Sequence, residues 1–138
     1  MYHNLIIVGN LGRDPEMRYT PSGTPVTSFN VATNRQYTNS QGERVKETIW
    51  FRISAWNKLA ETCNTYLHKG SKVFIEGRLT PDPATGGPRV WTRQDGSAGA
   101  SFEVTANTVR FLDSRSDSYD SQDQGSSDDM LDESEIPF

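Results

Sequence analysis

Nine residues, "TIWFRISAW" (48–56), constrain this chain more than any other stretch. They alternate with the period of two that a pleated strand imposes. Ile49, Phe51, Ile53 and Ala55 point one way, and Trp50, Arg52, Ser54 and Trp56 the other. The first set is a core face. The second places two tryptophans around an arginine, although burial of a ring that size is worth roughly 2–3 kcal/mol. Either a second layer of protein covers that face, a helix or a neighbouring subunit, or a ligand does. Alternation alone leaves both open.

The flanking sequence supplies the other elements. "YHNLIIVGN" predicts a short strand closed by Gly9, with apolar residues of both parities (Leu5, Ile7 and Ile6, Val8), as for a strand buried on both sides. "LGRDPEMRYTPSGTP" reads as a loop dense in turn formers. A second strand is expected from Val26 to Tyr37, with Phe29, Val31 and Thr33 on one face, and the third opens at Val45 after the turn "TNSQGER". In "NKLAETCNTYLHKG" the period changes. Leu59, Cys63, Tyr66 and Leu67 form a helical stripe, with Asn57 as N-cap, Glu61 in the first turn and Gly70 as the stop. "SKVFIEGRL" alternates again, with Val73, Ile75, Gly77 and Leu79 inward and Phe74, Glu76 and Arg78 outward. The Pro/Gly-rich excursion "TPDPATGGPRVWTRQDGSAGA" precedes the last strand, "SFEVTANTVRFL". There the apolar parity moves from Phe102, Val104 and Ala106 to Val109 and Phe111, which predicts a bulge near Asn107.

Five strands with one helix between the third and fourth is the element order of the all-β oligonucleotide-binding Greek-key barrel. That barrel binds ligands across strands 2 and 3 and with the loops joining strands 1–2 and 4–5. Those two loops are the longest here.

Charge and hydropathy break at one point. Residues 1–112 hold 41 of 46 apolar residues and 13 Lys+Arg against 9 Asp+Glu, a formal +4. Residues 113–138 hold one Arg against nine Asp+Glu, a formal −8. Such a tail buries too little apolar surface to offset its ordering entropy, so it is expected to be disordered. Yet four of its five apolar residues, Met130, Leu131, Ile136 and Phe138, lie in the last nine positions. The expected division is a binding domain over 1–112, an acidic linker over 113–131 and a partner-binding tip over 132–138.

One cysteine, Cys63, cannot form an internal disulfide, and His3 and His68 lack metal-ligand spacing, so no metal or cofactor is expected. No run is long enough to span a membrane, and the N-terminal residues do not read as a signal peptide. A soluble, cytoplasmic protein is the expectation. No nucleophile–base arrangement or phosphate-cradling loop emerges, and Cys63 lies on the apolar helix stripe, so an enzyme is not expected.

Aromatic residues interleaved with basic ones carry the functional reading. Tyr37, Phe74 and Trp91 join Trp50 and Trp56, and Arg35, Arg52, Lys58, Lys72, Arg78 and Arg93 fall near them in the strand order. Rings stack bases with about 1–3 kcal/mol each regardless of sequence, while cations follow the phosphates. Any one of these cations alone reads as a solvated surface charge; only the interleaving points to a single-stranded nucleic acid.

"VGNLGRDPEMRYTPSG", "WNKLAETCNTYLHKGSKVFIEGRL" and the terminal "EIPF" occur in the order found in bacterial single-stranded DNA-binding proteins, and the chain resembles that family over residues 3–112 and at its last residues. The resemblance implies a homotetramer, cytoplasmic and nucleoid-associated, around which single-stranded DNA wraps with little sequence preference. It implies base stacking at Tyr37, Trp50, Trp56 and Trp91, and places Arg52, Lys58 and Lys69 near the DNA path. It also implies that Asp132, Glu133, Glu135, Ile136, Pro137 and Phe138 dock on replication, recombination and repair proteins. Three features depart from the family pattern: Ser134 interrupts the acidic run, the linker is short, and the excursion around Trp91 is unusually rich in Pro and Gly.

Overall fold

In the computed structural model, which describes residues 1–112, the alternating stretch 48–56 ends a longer strand, β4 (Arg44–Trp56). It forms a hairpin with β3 (Pro25–Thr38), in register from Val26↔Trp56 to Thr38↔Arg44. Directly opposed residues of an antiparallel pair share a face. Phe29 and Val31 therefore lie with Ile53 and Phe51 on the inner side, and Asn30 and Ala32 lie with Arg52 and Trp50 on the outer side.

The remaining elements are β1 (Leu5–Leu11), β2 (Glu16–Tyr19), α1 (Lys58–Tyr66), β5 (Lys72–Leu79), β6 (Arg89–Thr92) and β7 (Ala98–Phe111). The strands are ordered β1-β5-β7-β4-β3-β2, and β1 also pairs with β3 at Asn10↔Ala32 and Leu11↔Val31, which closes a barrel of β1, β3, β4, β5 and β7. β4 and β7 run parallel from Phe51↔Phe102 to Ser54↔Thr105, and the other pairings are antiparallel. With α1 between the third and fourth barrel strands, this is the oligonucleotide-binding barrel.

Val31, Ile53, Val73, Ile75 and Val104 fill the interior with no exposed surface. Helix α1 closes the barrel with Ala60 and Cys63, and the Thr27 hydroxyl donates a 2.7 Å hydrogen bond to the Ala60 carbonyl inside that contact. Burial pushes the Cys63 thiol up to about 12, which keeps it protonated and inert. The β5–β7 register slips between Glu76↔Thr108 and Gly77↔Ala106, leaving Asn107 unpaired, so the parity shift of the last strand is a bulge at that residue.

Several expectations are corrected. The expected five-stranded barrel forms, but two short strands are added to it inside the segments read as loops: β2 pairs with β3 and β6 with β7. Asn57 precedes α1, but its side chain makes no cap. Its backbone takes φ 60° and ψ −129° between β4 and the helix. Gly70 does not stop α1, which ends at Tyr66 with Leu67 already extended. Gly70 instead takes φ +90° in the turn where the Ser71 amide donates to the His68 carbonyl. Tyr66 is exposed, its ring tilted 46° to that of Phe111 with centroids 5.8 Å apart. Leu79 and Phe102 have core parity but stay exposed, Phe102 with its ring centroid 6.0 Å from that of Phe51. In β1 of the single chain Ile7 is interior and Ile6 is 59% exposed. The linker and tip expected at 113–131 and 132–138 lie outside the described residues.

Candidate nucleic-acid interface

The outer face of the β3–β4 hairpin is the wall of a groove of about 760 Å³. Strand β4 contributes Trp50, Arg52, Ser54 and Trp56. The parallel register Arg52↔Glu103 and Ser54↔Thr105 continues the same face onto β7. Strand β6 then carries it outward, since Trp91 is paired with Gly99 and Arg89 with Ser101. The three tryptophans thus line one groove, and no element of the described chain covers them: Trp50 is 52% exposed, and Trp56 and Trp91 are 41% each.

The groove is polar between its rings. Arg18, Arg52 and Arg89 line it. Arg89 Nε lies 3.7 Å from Glu103 Oε2, which also accepts a 3.1 Å hydrogen bond from Ser101 Oγ. With Arg89 half exposed, a pair at that distance holds the guanidinium only weakly. Thr80 and Thr105 share a 2.7 Å hydroxyl–hydroxyl bond at one side. The Ser28 hydroxyl is buried in the floor and has no partner among the described residues.

The predicted site residues divide among several places. Trp50, Arg52, Trp56 and Trp91 meet in the groove. Arg35 and Tyr37 sit toward the far end of the hairpin, registered against Glu47 and Val45, on the opposite face from Trp50. The Arg35 guanidinium stacks 4.6 Å from the centre of the Tyr37 ring. Lys72 and Phe74 line a different groove, of about 530 Å³, with Ile6, Val8, Ala32 and Asn34. Lys58 is exposed at the start of α1. Lys69 is exposed in the turn after the helix, where its amide donates to Asp14 Oδ1 at 2.8 Å. Arg78 is exposed on β5 opposite Thr105. Arg93 turns its guanidinium back onto the Ala98 carbonyl of its own hairpin.

Arg18 and Arg89 also line the groove, beyond the residues the sequence pattern selects. Arg18 lies on β2, where Met17 is partly buried between exposed Glu16 and Arg18. That alternation is present in "EMRY", but four residues between proline-containing turns carry too little of it to be read. Arg89 is two residues from Trp91, and the spacing of two on a strand was the available signal.

The comparisons with known proteins agree with this geometry. The sequence model of the "Single-strand binding protein family" matches residues 2–112. A "Single-stranded DNA-binding protein" of Wolinella succinogenes is 38% identical over 131 residues, covering 93% of this chain and 76% of that one. One of the same description from Neisseria meningitidis serogroup A is 36% identical over 115 residues, and the match covers 83% of this chain but only 62% of that protein. Among solved structures, a deletion mutant of the single-stranded DNA binding protein from Thermus aquaticus aligns at TM-score 0.63 and 26% identity, over 81% of this chain and 51% of that one. A Plasmodium falciparum SSB solved in complex with ssDNA aligns at TM-score 0.68 over 82% of this chain and 97% of that one, and at 23% identity it speaks for the fold alone. With residues 2–112 matched by the family's own sequence model, the chain belongs to the single-strand binding protein family.

Proposed function

We propose that the chain binds single-stranded DNA without sequence preference, by stacking bases on Trp50, Trp56 and Trp91 and neutralising phosphates with Arg18, Arg52 and Arg89. One observation carries the reading: three exposed indoles and three arginines line a single groove. Rings accept any base, and phosphates carry no sequence information, so arginines paired with phosphates add affinity without preference. The family's proteins bind DNA and are not enzymes, and the relative at 38% identity is described as a single-stranded DNA-binding protein. Lys58, Lys69 and Arg78 extend the cationic surface outside the groove, and Tyr37, stiffened by Arg35, offers a further ring near the hairpin end.

Residues 1–112 are the binding domain in this reading, 113–131 the linker and 132–138 the tip that recruits replication, recombination and repair enzymes. Ile136 and Phe138 amid Asp132, Glu133 and Glu135 are suited to an apolar pocket edged with basic residues. Self-association to a tetramer is supported by the groove beside β1, where Ile6, Val8 and Phe74 stay open within one chain.

Titration with oligo(dT) at low salt is expected to quench tryptophan fluorescence, and light scattering on the same sample to report more than one chain per particle. A stronger response to oligo(U) would move the ligand to RNA. The absence of quenching by either would leave the aromatic face to a protein partner.

A further inference from the structure

Two glycines, Gly12 and Gly99, lie against the rings of the groove. A carbon added at Gly12 would fall 2.6 Å from Cζ3 and 2.7 Å from Cη2 of Trp50. One added at Gly99 would fall 2.7 Å from Nε1 and 2.8 Å from Cε2 of Trp91, and 2.9 Å from Cζ of Arg93. Non-bonded carbons settle at about 3.5–4.0 Å, so these spaces exclude even a methyl group. Backbone conformation is not what calls for glycine here, since neither residue has a positive φ, unlike Gly23, Gly42, Gly70, Gly86 and Gly96.

The obstacle also differs from that at the other closely packed glycines. A carbon at Gly9 or Gly77 would meet a main-chain oxygen, of Ala32 or Thr105, at 2.2 Å, so those two serve the packing of strands. At Gly12 the obstacle is the far edge of the Trp50 indole, and at Gly99 it is the Trp91 indole with the Arg93 guanidinium, side chains that can swing. Substitution there moves a tryptophan and leaves the strands where they are. The backbone beneath each ring is itself fixed: the Gly12 amide donates 3.1 Å to the Asn30 carbonyl, and Gly99 is paired with Trp91 across the β6–β7 hairpin.

We propose that Gly12 and Gly99 are positioning residues of the groove: each is the seat against which one indole rests, and together they set the tilt and depth of Trp50 and Trp91 before a ligand arrives. An indole held against the backbone on one side keeps its remaining surface open to a base, as the exposure of both rings requires. Holding it there in advance spares the ordering cost of binding. The consequence for ligand binding rests on the reading of the groove as the single-stranded DNA interface; the seating of the rings does not.

The test uses the full chain and the variants G12A and G99A, with G77A as a packing control. Without DNA, each seat variant is expected to change the near-ultraviolet circular dichroism of the tryptophans while keeping the parent's urea midpoint. Unchanged tryptophan bands would overturn the proposal whatever the protein binds, and a midpoint lowered as far as that of G77A would assign the glycine to the fold instead. With oligo(dT), each variant is expected to bind about threefold to tenfold more weakly, a fraction of one stacked base. That loss should vanish in G12A/W50A relative to W50A, and in G99A/W91A relative to W91A, because a seat acts only through its ring. A loss that persists without the ring, or no loss beside a parent that binds, overturns the assignment. A parent that does not bind oligo(dT) overturns the functional reading and leaves the seats to the spectroscopic result.

Discussion

Asn57 holds φ 60° and ψ −129°, the only non-glycine residue among those described with a positive φ. These angles match the first central position of a type II′ turn, which belongs to glycine because a Cβ crowds the backbone there. The side chain offers nothing in return, since it makes no cap hydrogen bond to the helix it precedes. Asn57→Gly is therefore expected to stabilise the fold by roughly 1 kcal/mol, the lower end of such strain, seen as a higher urea midpoint at unchanged slope. A lower midpoint would mean that the entropy glycine adds to the unfolded chain outweighs the relieved strain. The same residue shows what sequence conveys at this scale. Its place before the helix was legible from its type, but its conformation was not, because the sharp exit from β4 sets it. The outward rings, by contrast, were legible: Trp50 and Trp56 needed only a period of two and an inner face already filled by Ile53 and Ala55. Phe74 obeys the same period yet serves another groove, since alternation gives a side of the sheet and not a position around a closed barrel.

The β6–β7 hairpin brings Trp91 to the groove, and its turn is held by a carboxylate. Asp95 Oδ1 accepts from the Ser97 hydroxyl at 2.7 Å and from the Ser97 amide at 2.9 Å, and Gly96 takes φ +90° between them. Both bonds favour the ionised form, so the Asp95 carboxyl sits below its ordinary value, the Ser97 hydroxyl being the larger cause. The sign follows from linkage: a carboxylate depressed in the folded state contributes above its unfolded pKa, and that contribution is lost as pH falls through its folded value. Protection of the Ser97 amide from hydrogen exchange should therefore step down on acidification through the carboxylate range, and the step should be missing in Asp95→Ala. A step of equal size in that variant would place the titrating group elsewhere. This hairpin was the least legible element in the sequence. Proline and glycine mark turns wherever they occur, and the four residues of β6 between them become a strand only because β7 offers an edge to pair with.

At the scale of the whole chain the divided charge is the dominant feature. Residues 1–112 carry a formal +4 and residues 113–138 a formal −8, so the acidic segment is itself a candidate ligand for the basic groove. A strand of DNA must then displace whatever fraction of that segment occupies the same arginines. Deleting residues 113–138 is expected to tighten oligo(dT) binding at low salt or to leave it unchanged. Any difference should close as salt rises, because separated charges are screened beyond about 8 Å at physiological ionic strength. Phosphate neutralisation gives the log of the binding constant a slope against log salt of about −0.7 for each phosphate contacted on a single strand. Three groove arginines, with Arg89 partly engaged by Glu103, set a slope of roughly −2 per chain. The full-length chain should show a shallower slope than the truncated one, since salt weakens the internal competitor along with the DNA. Weaker binding by the truncated chain at low salt would contradict this account and make the segment a contributor to the interface rather than a rival for it.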